Sequence, residues 1–423
     1  MSPAVAEVLP LNALHYDLAA VGSLEDVLAP PYDVIDPERR RALVARSPFN
    51  AVELDLPEAA AGGDRYQHAD ETLEAWTLEG VLRADREPAL WALEQSYTGP
   101  DGASYVRRGV LARVRVTEYG PGLVRPHERT QPGPKLDRLE LTRATRHNLS
   151  PIFSLHAGGA WQHLVPALGE PWGEASDPDG TVNRVWRVGD PAAHEAVTAQ
   201  LSESELLIAD GHHRYETARV YADEVGGEGP HRYTLMCLVS LGDPGLTVFG
   251  YHRLLGGFAG DSARQEAIAA AIREHFDVEE VPEAELDPAG AEGAGVFGYI
   301  DSHLRRGFRL RLKDPGALDA ALAERSEAYR RLDAVILEEL ILKRGLGMSA
   351  GDIEAKRGIG YAKSADEALA AIDDGGDHQV AFLLRPTPVE QVRAVAAAGE
   401  TMPPKSTFFF PKVPTGIVFN PLS

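Results

Sequence analysis

The segment Asp210-Gly211-His212-His213-Arg214 has the composition of a phosphate-binding turn. It follows an apolar run at 205–209, which predicts a strand, and precedes a helix predicted over 215–225. In the first turn of a helix, unpaired amides and the positive end of the helix dipole face an anion. Gly211 permits close approach of the backbone to a phosphate, and Arg214 offers two parallel hydrogen bonds to its oxygens. We therefore predict that nucleotide phosphates bind here.

The other three residues of this turn have roles of their own. His212 and His213 can donate hydrogen bonds to phosphate, and His213 is also a candidate to carry a proton near neutral pH. Asp210 belongs to the predicted phosphate site and is a candidate ligand for Mg²⁺. The alternative is that Asp210 only caps the helix and that the histidines lie on the surface.

A second polar cluster lies at Arg125-Pro126-His127-Glu128-Arg129-Thr130, with Lys135 and Arg138 close behind it. Charges around prolines, outside any clear amphipathic helix, are more typical of a substrate loop than of a helix face. Glu128 is the candidate general base toward a substrate hydroxyl, with His127 as a further catalytic candidate. Lys135 and Arg138 would neutralise a transferred phosphoryl group. A solvated, salt-bridged loop is the alternative.

Each cluster lacks part of a catalytic site, because one supplies a carboxylate and the other a phosphate cradle. We therefore predict that residues 121–138 fold against the turn at 210–214. Further candidates for the wall of the substrate pocket are Tyr32, Asp33, Arg253 and Lys405. Loop packing, a strand-end salt bridge or a solvent-exposed turn would explain the same residues without a ligand.

A dedicated metal site is not predicted. The sequence has no His-Glu-X-X-His helix, and the adjacent His212 and His213 cannot share one helix face. Mg²⁺ that arrives with ATP or ADP needs only one or two carboxylates, which Asp210 or Glu128 would supply. The single cysteine, Cys237, lies in an apolar run, so a disulfide within the chain is excluded and a buried thiol is expected.

Composition restricts the partners. The chain has 42 Lys and Arg against 64 Asp and Glu, which gives a net charge of −22 and repels nucleic acid and anionic membranes. No stretch approaches the ~20 apolar residues that span a bilayer. We predict a cytoplasmic protein whose ligands are a nucleotide and a small-molecule substrate. The oligomeric state is left open.

The elements that would position these residues alternate along the chain, which predicts an α/β protein with mixed sheets. Helices are predicted at 38–45, 66–80 and 332–342, and strands at 52–56, 89–97, 105–114, 233–239, 408–410 and 416–419. The turn-rich residues 99–102 join two of these strands as a hairpin. Strand, turn, helix and strand between residues 205 and 239 indicate a βαβ-like unit.

A chain of 423 residues exceeds the size of one hydrophobic core, so more than one folded region is expected. We predict an N-terminal α/β region at 1–120, a nucleotide and catalytic region at 121–278, and a C-terminal α/β region at 296–423 that closes the fold. The acidic, Ala/Gly/Pro-rich stretch between the last two regions is interpreted as a boundary or surface excursion.

Two resemblances rest on these motifs. The run from Ile208 to Ala218 resembles the phosphate-binding motif of the ParB and sulfiredoxin superfamily, where a Gly-X-X-Arg turn at a helix start holds nucleotide phosphates and which includes free-serine kinases. Over nearly its full length the chain resembles the bacterial domain-of-unknown-function 1015 family. The shared segments are 29–35, 127–130, 134–138, 150–153, 210–215, 251–254, 404–407 and 411–412. The resemblance implies a ParB/sulfiredoxin-like nucleotide-binding unit with additional helices and strands.

These observations favour a nucleotide-dependent phosphotransferase, a kinase that acts on a small hydroxylated metabolite. Free serine is the first candidate because of the kinase resemblance. Two alternatives from other classes remain. One is a ParB-like regulatory switch that binds nucleotide, and the other is a metal-dependent hydrolase that uses the same histidines and carboxylates.

Overall fold

The computed structural model describes residues 6–59, 62–99, 101–128, 132–202, 204–373 and 375–423. Arg129 and Thr130 of the second polar cluster therefore lie outside the described residues. The chain forms two compact units: unit 1 comprises residues 1–247 and 411–423, and unit 2 comprises residues 248–410. The acidic stretch at 279–295 falls within unit 2.

Unit 1 is built on one mixed sheet with helices packed on it. Its helices are α1 (Leu18–Val21), α2 (Leu24–Val27), α3 (Pro37–Arg46), α4 (Val52–Asp55), α5 (Arg65–Leu78), α6 (Pro132–Thr145), α7 (Ala160–Leu164), α8 (Pro191–Ser202) and α9 (His212–Val225). Its strands before residue 247 are β1 (Val8–Leu9), β2 (Leu14–Tyr16), β3 (Leu82–Ala84), β4 (Leu90–Thr98), β5 (Ser104–Arg115), β6 (Val124–Arg125), β7 (His147–Asn148), β8 (Ile152–His156), β9 (Gly173–Ser176), β10 (Val182–Val188), β11 (Leu206–Asp210) and β12 (Tyr233–Ser240).

The main sheet of unit 1 has the strand order β6-β11-β8-β12-β5-β4-β10-β9, and β1 pairs with β5. The hairpin predicted around residues 99–102 is confirmed, because β4 and β5 pair antiparallel from Trp91↔Leu111 to Thr98↔Ser104. Strands β11 and β12 both pair with β8, the first antiparallel and the second parallel. They therefore run in opposite directions, and the predicted βαβ-like unit is not a parallel crossover.

Two short predicted strands are wrong. Residues 52–55 form helix α4, where the Asn50 side chain accepts a hydrogen bond from the Val52 N–H at 3.0 Å. Five alternating residues are too few to distinguish strand from helix, and this local side-chain to backbone hydrogen bond turns the chain before the helix. Residues 416–419 are buried but irregular, with a single bridge between Phe419 and Leu14.

The part of the charged passage from Pro132 onward is a helix and not a loop. Helix α6 begins at Pro132, where a proline is tolerated because the first amides of a helix have no partner within it. It packs against α9 and α5, and it carries Lys135 and Arg138 one turn apart. The substrate-loop interpretation therefore fails for this part of the passage.

Unit 2 contains a sheet of order β15-β17-β16-β19-β14-β18, in which each recorded pair of strands is antiparallel. Its strands are β13 (Thr247–Phe249, which begins at the last residue of unit 1), β14 (His252–Leu255), β15 (Phe276–Val281), β16 (Val296–Asp301), β17 (Gly307–Leu312), β18 (Ile359–Ala362), β19 (Val380–Leu384) and β20 (Phe408–Phe410). Its helices are α10 (Ser262–His275), α11 (Glu327–Arg330), α12 (Asp333–Leu337), α13 (Ala350–Glu354), α14 (Ala365–Ala370) and α15 (Val389–Ala397).

Two further features complete the fold. Helix α12 continues as a π-helix over Glu338–Gly345, so the predicted helix at 332–342 is confirmed but its second half is wider than an α-helix. After unit 2 the chain returns to unit 1, where β21 (Asn420–Pro421) pairs with β7. No helix among the described residues has both the length and the apolar composition needed to cross a bilayer.

Candidate functional site

Helix α9 presents its first turn at the end of a buried strand. The strand β11 is buried from Leu206 to Ala209, and the helix buries Tyr215, Ala218 and Ala222, which share one face. The Tyr215 hydroxyl donates to the Thr117 carbonyl at 3.0 Å and anchors that face. The strand and the buried helix face together fix the position of the turn that connects them.

Gly211 connects the strand to the helix in a left-handed conformation, with φ of 94°. A side chain at this position would be strained, and its Cβ would lie 2.9 Å from Nε of Arg214. The helix starts at His212, three residues earlier than predicted. The amides of the first turn therefore include those of His212 and His213.

Asp210 lies between two cations. One of its carboxylate oxygens accepts from Nη2 of Arg214 at 2.8 Å, and the other accepts from Nζ of Lys412. Burial opposes ionisation, but the charges of Lys412 and Arg214 outweigh it and hold the pKa of Asp210 below its ordinary value. Arg214 and Lys412 thus place two positive charges at the turn, where they can attract an anion.

Arg214 is also held from its other side. Its Nη1 donates to the Pro151 carbonyl and lies 3.3 Å from the Ser150 hydroxyl. Both acceptors come from a segment, 150–153, that the sequence singles out. The guanidinium is thus fixed in direction before any ligand arrives, which reduces the entropy lost on binding.

Two histidines clamp the polar passage onto this turn. Nε2 of His212 accepts hydrogen bonds from the backbone N–H groups of His127 at 3.2 Å and Glu128 at 3.3 Å. The His127 and His212 rings are 4.6 Å apart, and Nδ1 of His127 lies 2.5 Å from the Ile208 carbonyl oxygen. Glu128 is therefore adjacent to the start of α9, although more than eighty residues separate them in sequence.

The clamp histidines are neutral. Burial lowers the pKa of His127 to about 4, and burial together with His127 lowers the pKa of His212. A neutral His212 that accepts at Nε2 carries its proton at Nδ1. Both rings are nearly fully buried, so this geometry favours a supporting role for them and leaves His213, which is half-buried, closer to solvent.

Tyr32 and Asp33 lie near the same turn. Burial raises the pKa of Tyr32 to about 12, while the positive charges of Arg214 and Arg138 act against this rise. Burial lowers the pKa of His213, and the negative charge of Asp33 opposes that change. The 3₁₀ turn Tyr32–Val34 contacts α6, because the guanidinium of Arg138 lies 4.2 Å from the centre of the Tyr32 ring.

Arg138 is committed to buried partners. Its guanidinium donates to Oδ1 of Asp55 at 3.1 Å and to Oδ2 of Asp137 at 2.6 Å, and it lies 4.2 Å from the centre of the Tyr32 ring. Removal of one partner from a buried pair is costly because the other charge is left without compensation. Lys135, on the same helix, adds positive potential at His213.

A small polar cavity lies behind the turn. Its volume is about 30 Å³, enough for ordered water but not for a metabolite, and its lining includes Asp55, Arg138, Ser150, Arg214 and Thr217. The described residues contain no group of three His, Cys, Asp or Glu side chains arranged to hold a metal ion. Cys237 is buried as expected, and burial raises the pKa of its thiol to about 12.

Lys412 is the site residue that sequence reasoning missed. It contacts Asp210 from a position 202 residues away, and no local pattern predicts such a pairing. Sequence could have indicated Lys412 only because Pro411-Lys412 is one of the segments that resemble the DUF1015 family. Two sequence candidates, Arg253 and Lys405, belong to unit 2.

Comparison with known proteins gives a family. Residues 8–335 match the model of a family described as protein of unknown function, DUF1015. No curated protein matches the sequence. Three solved structures are similar at low levels. A mutant free serine kinase in complex with ADP is 16% identical, with 70% of this chain and 88% of that chain covered and a TM-score of 0.36.

The other two structures resemble the chain to the same degree. A conserved hypothetical protein from Pyrococcus furiosus is 18% identical over 70% of this chain and 92% of its own, with a TM-score of 0.33. SbnI with a C-terminal truncation, from Staphylococcus aureus, is 10% identical over 73% and 87%, with a TM-score of 0.35. Such similarities are too low to transfer a function. The match to the family model covers most of the chain, residues 8–335, and it shows that the chain belongs to the DUF1015 family.

Proposed function

We propose that the protein is a nucleotide-dependent phosphotransferase that acts on a hydroxyl group of a small metabolite, with free serine as the first candidate. One observation carries the proposal. The carboxylate-bearing segment at Glu128 is hydrogen-bonded to the same helix turn that presents Gly211 and Arg214. Such a turn suits phosphate, and a carboxylate beside it suits the activation of a hydroxyl group.

The phosphate side of the proposal rests on four contributions in one place. The first amides of α9 and its helix dipole favour an anion, and the left-handed Gly211 leaves the backbone open to close approach. Arg214 and Lys412 supply the excess positive charge around Asp210. Phosphoryl transfer depends mainly on positioning and charge stabilisation, which these groups provide.

Glu128 is the proposed base. Its backbone is fixed by His212, so its side chain starts from a defined position next to the phosphate turn. There it would accept the proton of the substrate hydroxyl as the hydroxyl oxygen bonds to the terminal phosphorus. The bond from that phosphorus to the bridging oxygen of the nucleotide then breaks, and the shortened nucleotide leaves. His127 supports the arrangement through the Ile208 carbonyl.

The nucleotide is proposed to be ATP or ADP with Mg²⁺. The carboxylate of Asp210, at the start of the turn, would hold the ion through a bound water, so that Glu128 keeps the role of the base. The ion would neutralise phosphate charge when bound. Because one or two carboxylates suffice for a nucleotide-bound Mg²⁺, no larger cluster of acidic ligands is required.

The test is nucleotide consumption by the purified protein against a panel of amino acids and sugars, followed by the variant Glu128→Gln. The substitution keeps the size of the side chain but removes its basic oxygen. We expect unchanged nucleotide affinity and turnover lower by about two orders of magnitude, within the roughly 10²–10⁴-fold range of a positioned base.

Glu140→Gln is the matched control, since Glu140 is a carboxylate on α6 that pairs at the surface with Arg143. It should retain full activity. Full activity of Glu128→Gln would exclude Glu128 as the base. Nucleotide consumption that no hydroxyl compound stimulates, even in the wild-type protein, would contradict the kinase proposal and favour a nucleotide switch.

A further inference from the structure

A layer of aromatic rings in unit 2 carries four basic side chains. The rings of Tyr251 and Phe408 lie 5.2 Å apart, and those of Tyr251 and Tyr361 lie 6.4 Å apart. We call these three rings and the cations above them the cationic patch; its basic members are Arg253, Lys356, Lys363 and Lys405. All seven residues belong to unit 2.

Each cation of the patch is held near a ring. Nζ of Lys405 lies 5.0 Å from the centre of the Tyr251 ring, and Nζ of Lys363 lies 5.6 Å from that of Phe408. Arg253 and Lys356 lie 4.7 and 5.9 Å from the centre of the Tyr361 ring. A ring face attracts a cation without neutralising it, so the rings leave the positive potential of Lys356 and Lys405 available to an anion.

The charges are accessible to different degrees. Lys356 and Lys363 are exposed and Lys405 is half-buried, whereas Arg253 is buried and donates to the Tyr251 carbonyl at 2.9 Å. Within the described ranges, no carboxylate lies at salt-bridge distance from Lys356 or Lys405. This is unusual in a chain with a net charge of −22, where acidic side chains outnumber basic ones.

Two of the lysines adopt a backbone conformation that disfavours any residue but glycine. Lys356 has φ of 55° and Lys405 has φ of 60°. The loop around Lys405 is fixed by hydrogen bonds from the Ser406 hydroxyl to the Pro403 carbonyl at 2.6 Å and from the Thr387 hydroxyl to the Ser406 carbonyl at 2.8 Å. Left-handed residues with side chains persist where the surrounding structure holds them, and they are concentrated at functional positions.

We propose that the cationic patch binds the phosphate group of a small phosphorylated molecule, with Lys405 at its centre. Tyr251 and Phe408 are only 7% and 5% exposed, so their faces are not free to stack on a base and the patch can offer only its charges. Ammonium groups act as point charges toward phosphate oxygens. The net charge of the chain disfavours a long polyanion, which leaves a small phosphate ligand.

The test uses the full chain with Arg214→Ala, in which the turn of α9 is impaired, and inorganic pyrophosphate as the probe in calorimetric titration. Pyrophosphate should bind, and the further changes Lys405→Met and Lys356→Met together should weaken its affinity at least about tenfold. Lys405→Arg should keep most of the affinity. Lys313→Met, which removes one positive charge elsewhere in unit 2, is the matched control and should change little.

A second variant separates binding from folding. Lys405→Gly removes the strain of the left-handed conformation, so the midpoint of thermal unfolding should rise or stay unchanged while pyrophosphate affinity falls about tenfold or more. The same titrations on the chain that keeps Arg214 provide the answer if Arg214→Ala does not fold. These measurements do not depend on kinase activity, so their outcome is independent of whether the proposed function is correct.

Three results would overturn the proposal: no binding of pyrophosphate, equal loss in Lys313→Met and in the patch variants, or unchanged affinity in the patch variants. Glycerol phosphate and AMP separate the sources of the phosphate group. Similar affinity for both supports recognition of phosphate alone. Binding restricted to AMP, or preference for an oligonucleotide, would contradict it.

Discussion

Arg214 illustrates how one side chain combines support and binding. It is held by Asp210, Ser150 and the Pro151 carbonyl, yet it belongs to the helix turn that faces the proposed nucleotide. A guanidinium fixed in this way loses little freedom when an anion arrives. The same fixation makes its removal informative, because the turn itself is held by the buried strand and by Tyr215.

We expect Arg214→Ala to weaken nucleotide binding by more than about tenfold, since a charged hydrogen bond contributes roughly 1.5–3 kcal/mol. Calorimetry with ADP and ATP measures the effect. The control is Arg219→Ala, because Arg219 lies on the same helix but pairs with Glu118 at the surface. Equal affinities for the wild-type protein and Arg214→Ala would remove the turn from the nucleotide site.

His127 provides a prediction on pH. Its pKa falls from the ordinary 6.5 to about 4 in the folded chain, chiefly through burial. Between these values the unfolded chain binds a proton that the folded chain does not, so the free energy of unfolding decreases as pH falls from about 6.5 toward 4. His127→Gln retains a donor for the Ile208 carbonyl but has no such proton, so its stability should depend less on pH.

The measurement is urea unfolding at pH 7 and pH 5, followed by tryptophan fluorescence. All five tryptophans lie in unit 1, so the signal reports on the unit that contains His127. The midpoint should fall further in the wild-type protein than in His127→Gln. His303→Gln, at an exposed position of unit 2, is the control. An identical shift in the wild-type protein and His127→Gln would contradict this account of the buried ring.

At the scale of the element, the junction of β11 and α9 depends on Gly211. We expect Gly211→Ala to lower the free energy of unfolding of unit 1 by about 1–2 kcal/mol, the usual cost of a left-handed residue with a side chain. It should also displace Arg214, which a Cβ would approach to 2.9 Å, and so weaken nucleotide binding. Urea unfolding and ADP titration test the two effects.

Gly226→Ala gives a matched comparison at the other end of the same helix. Gly226 also has a positive φ, of 68°, but no neighbour within reach of an added Cβ. With a ψ of 172° Gly226 lies in a region that only glycine adopts readily, so Gly226→Ala should cost at least as much stability and leave ADP affinity unchanged. Loss of affinity in both variants would show that general destabilisation, and not the position of Arg214, controls binding.

Some helices and strands can be predicted from local sequence patterns, and others cannot. The strand, glycine and helix at 206–225 were predictable because an apolar run, a glycine and a helical face follow one another locally. The helix α6 was missed because its prolines and charges suggested a loop, whereas packing on α9 decides its conformation. Similarly, the hydrogen bond between the Asn50 side chain and the Val52 N–H precedes helix α4, and five alternating residues do not reveal it.

In the candidate site too, local sequence predicts some features and tertiary contacts decide the others. The turn and Glu128 were identifiable by residue type, and the need for a complete set of groups predicted that they lie together. The backbone clamp by His212 and the pairing of Lys412 with Asp210 depend on tertiary contacts across 84 and 202 residues. Residue type alone carries no information about such partners.

At the scale of the whole molecule, unit 2 is contiguous in sequence and unit 1 is not. We expect residues 248–410 alone to unfold cooperatively, as followed by circular dichroism. Residues 1–247 alone should not fold stably, because Ile417, Val418 and Phe419 fill the core of unit 1 and are fully buried. Rejoining 411–423 through a short linker should restore the native tryptophan fluorescence. A stable, native-like fragment 1–247 would contradict this expectation.

The discontinuity of unit 1 has a consequence for biosynthesis. A ribosome that adds about 5–20 residues per second needs on the order of ten to thirty seconds to complete unit 2 before the segment that returns to unit 1 is made. During that interval Asp210 lacks its contact with Lys412, and the positions that Ile417 and Phe419 occupy in the core of unit 1 are unfilled. We therefore expect nascent unit 1 to expose apolar surface during this interval, and a message truncated within unit 2 yields a polypeptide in which Asp210 lacks its contact with Lys412.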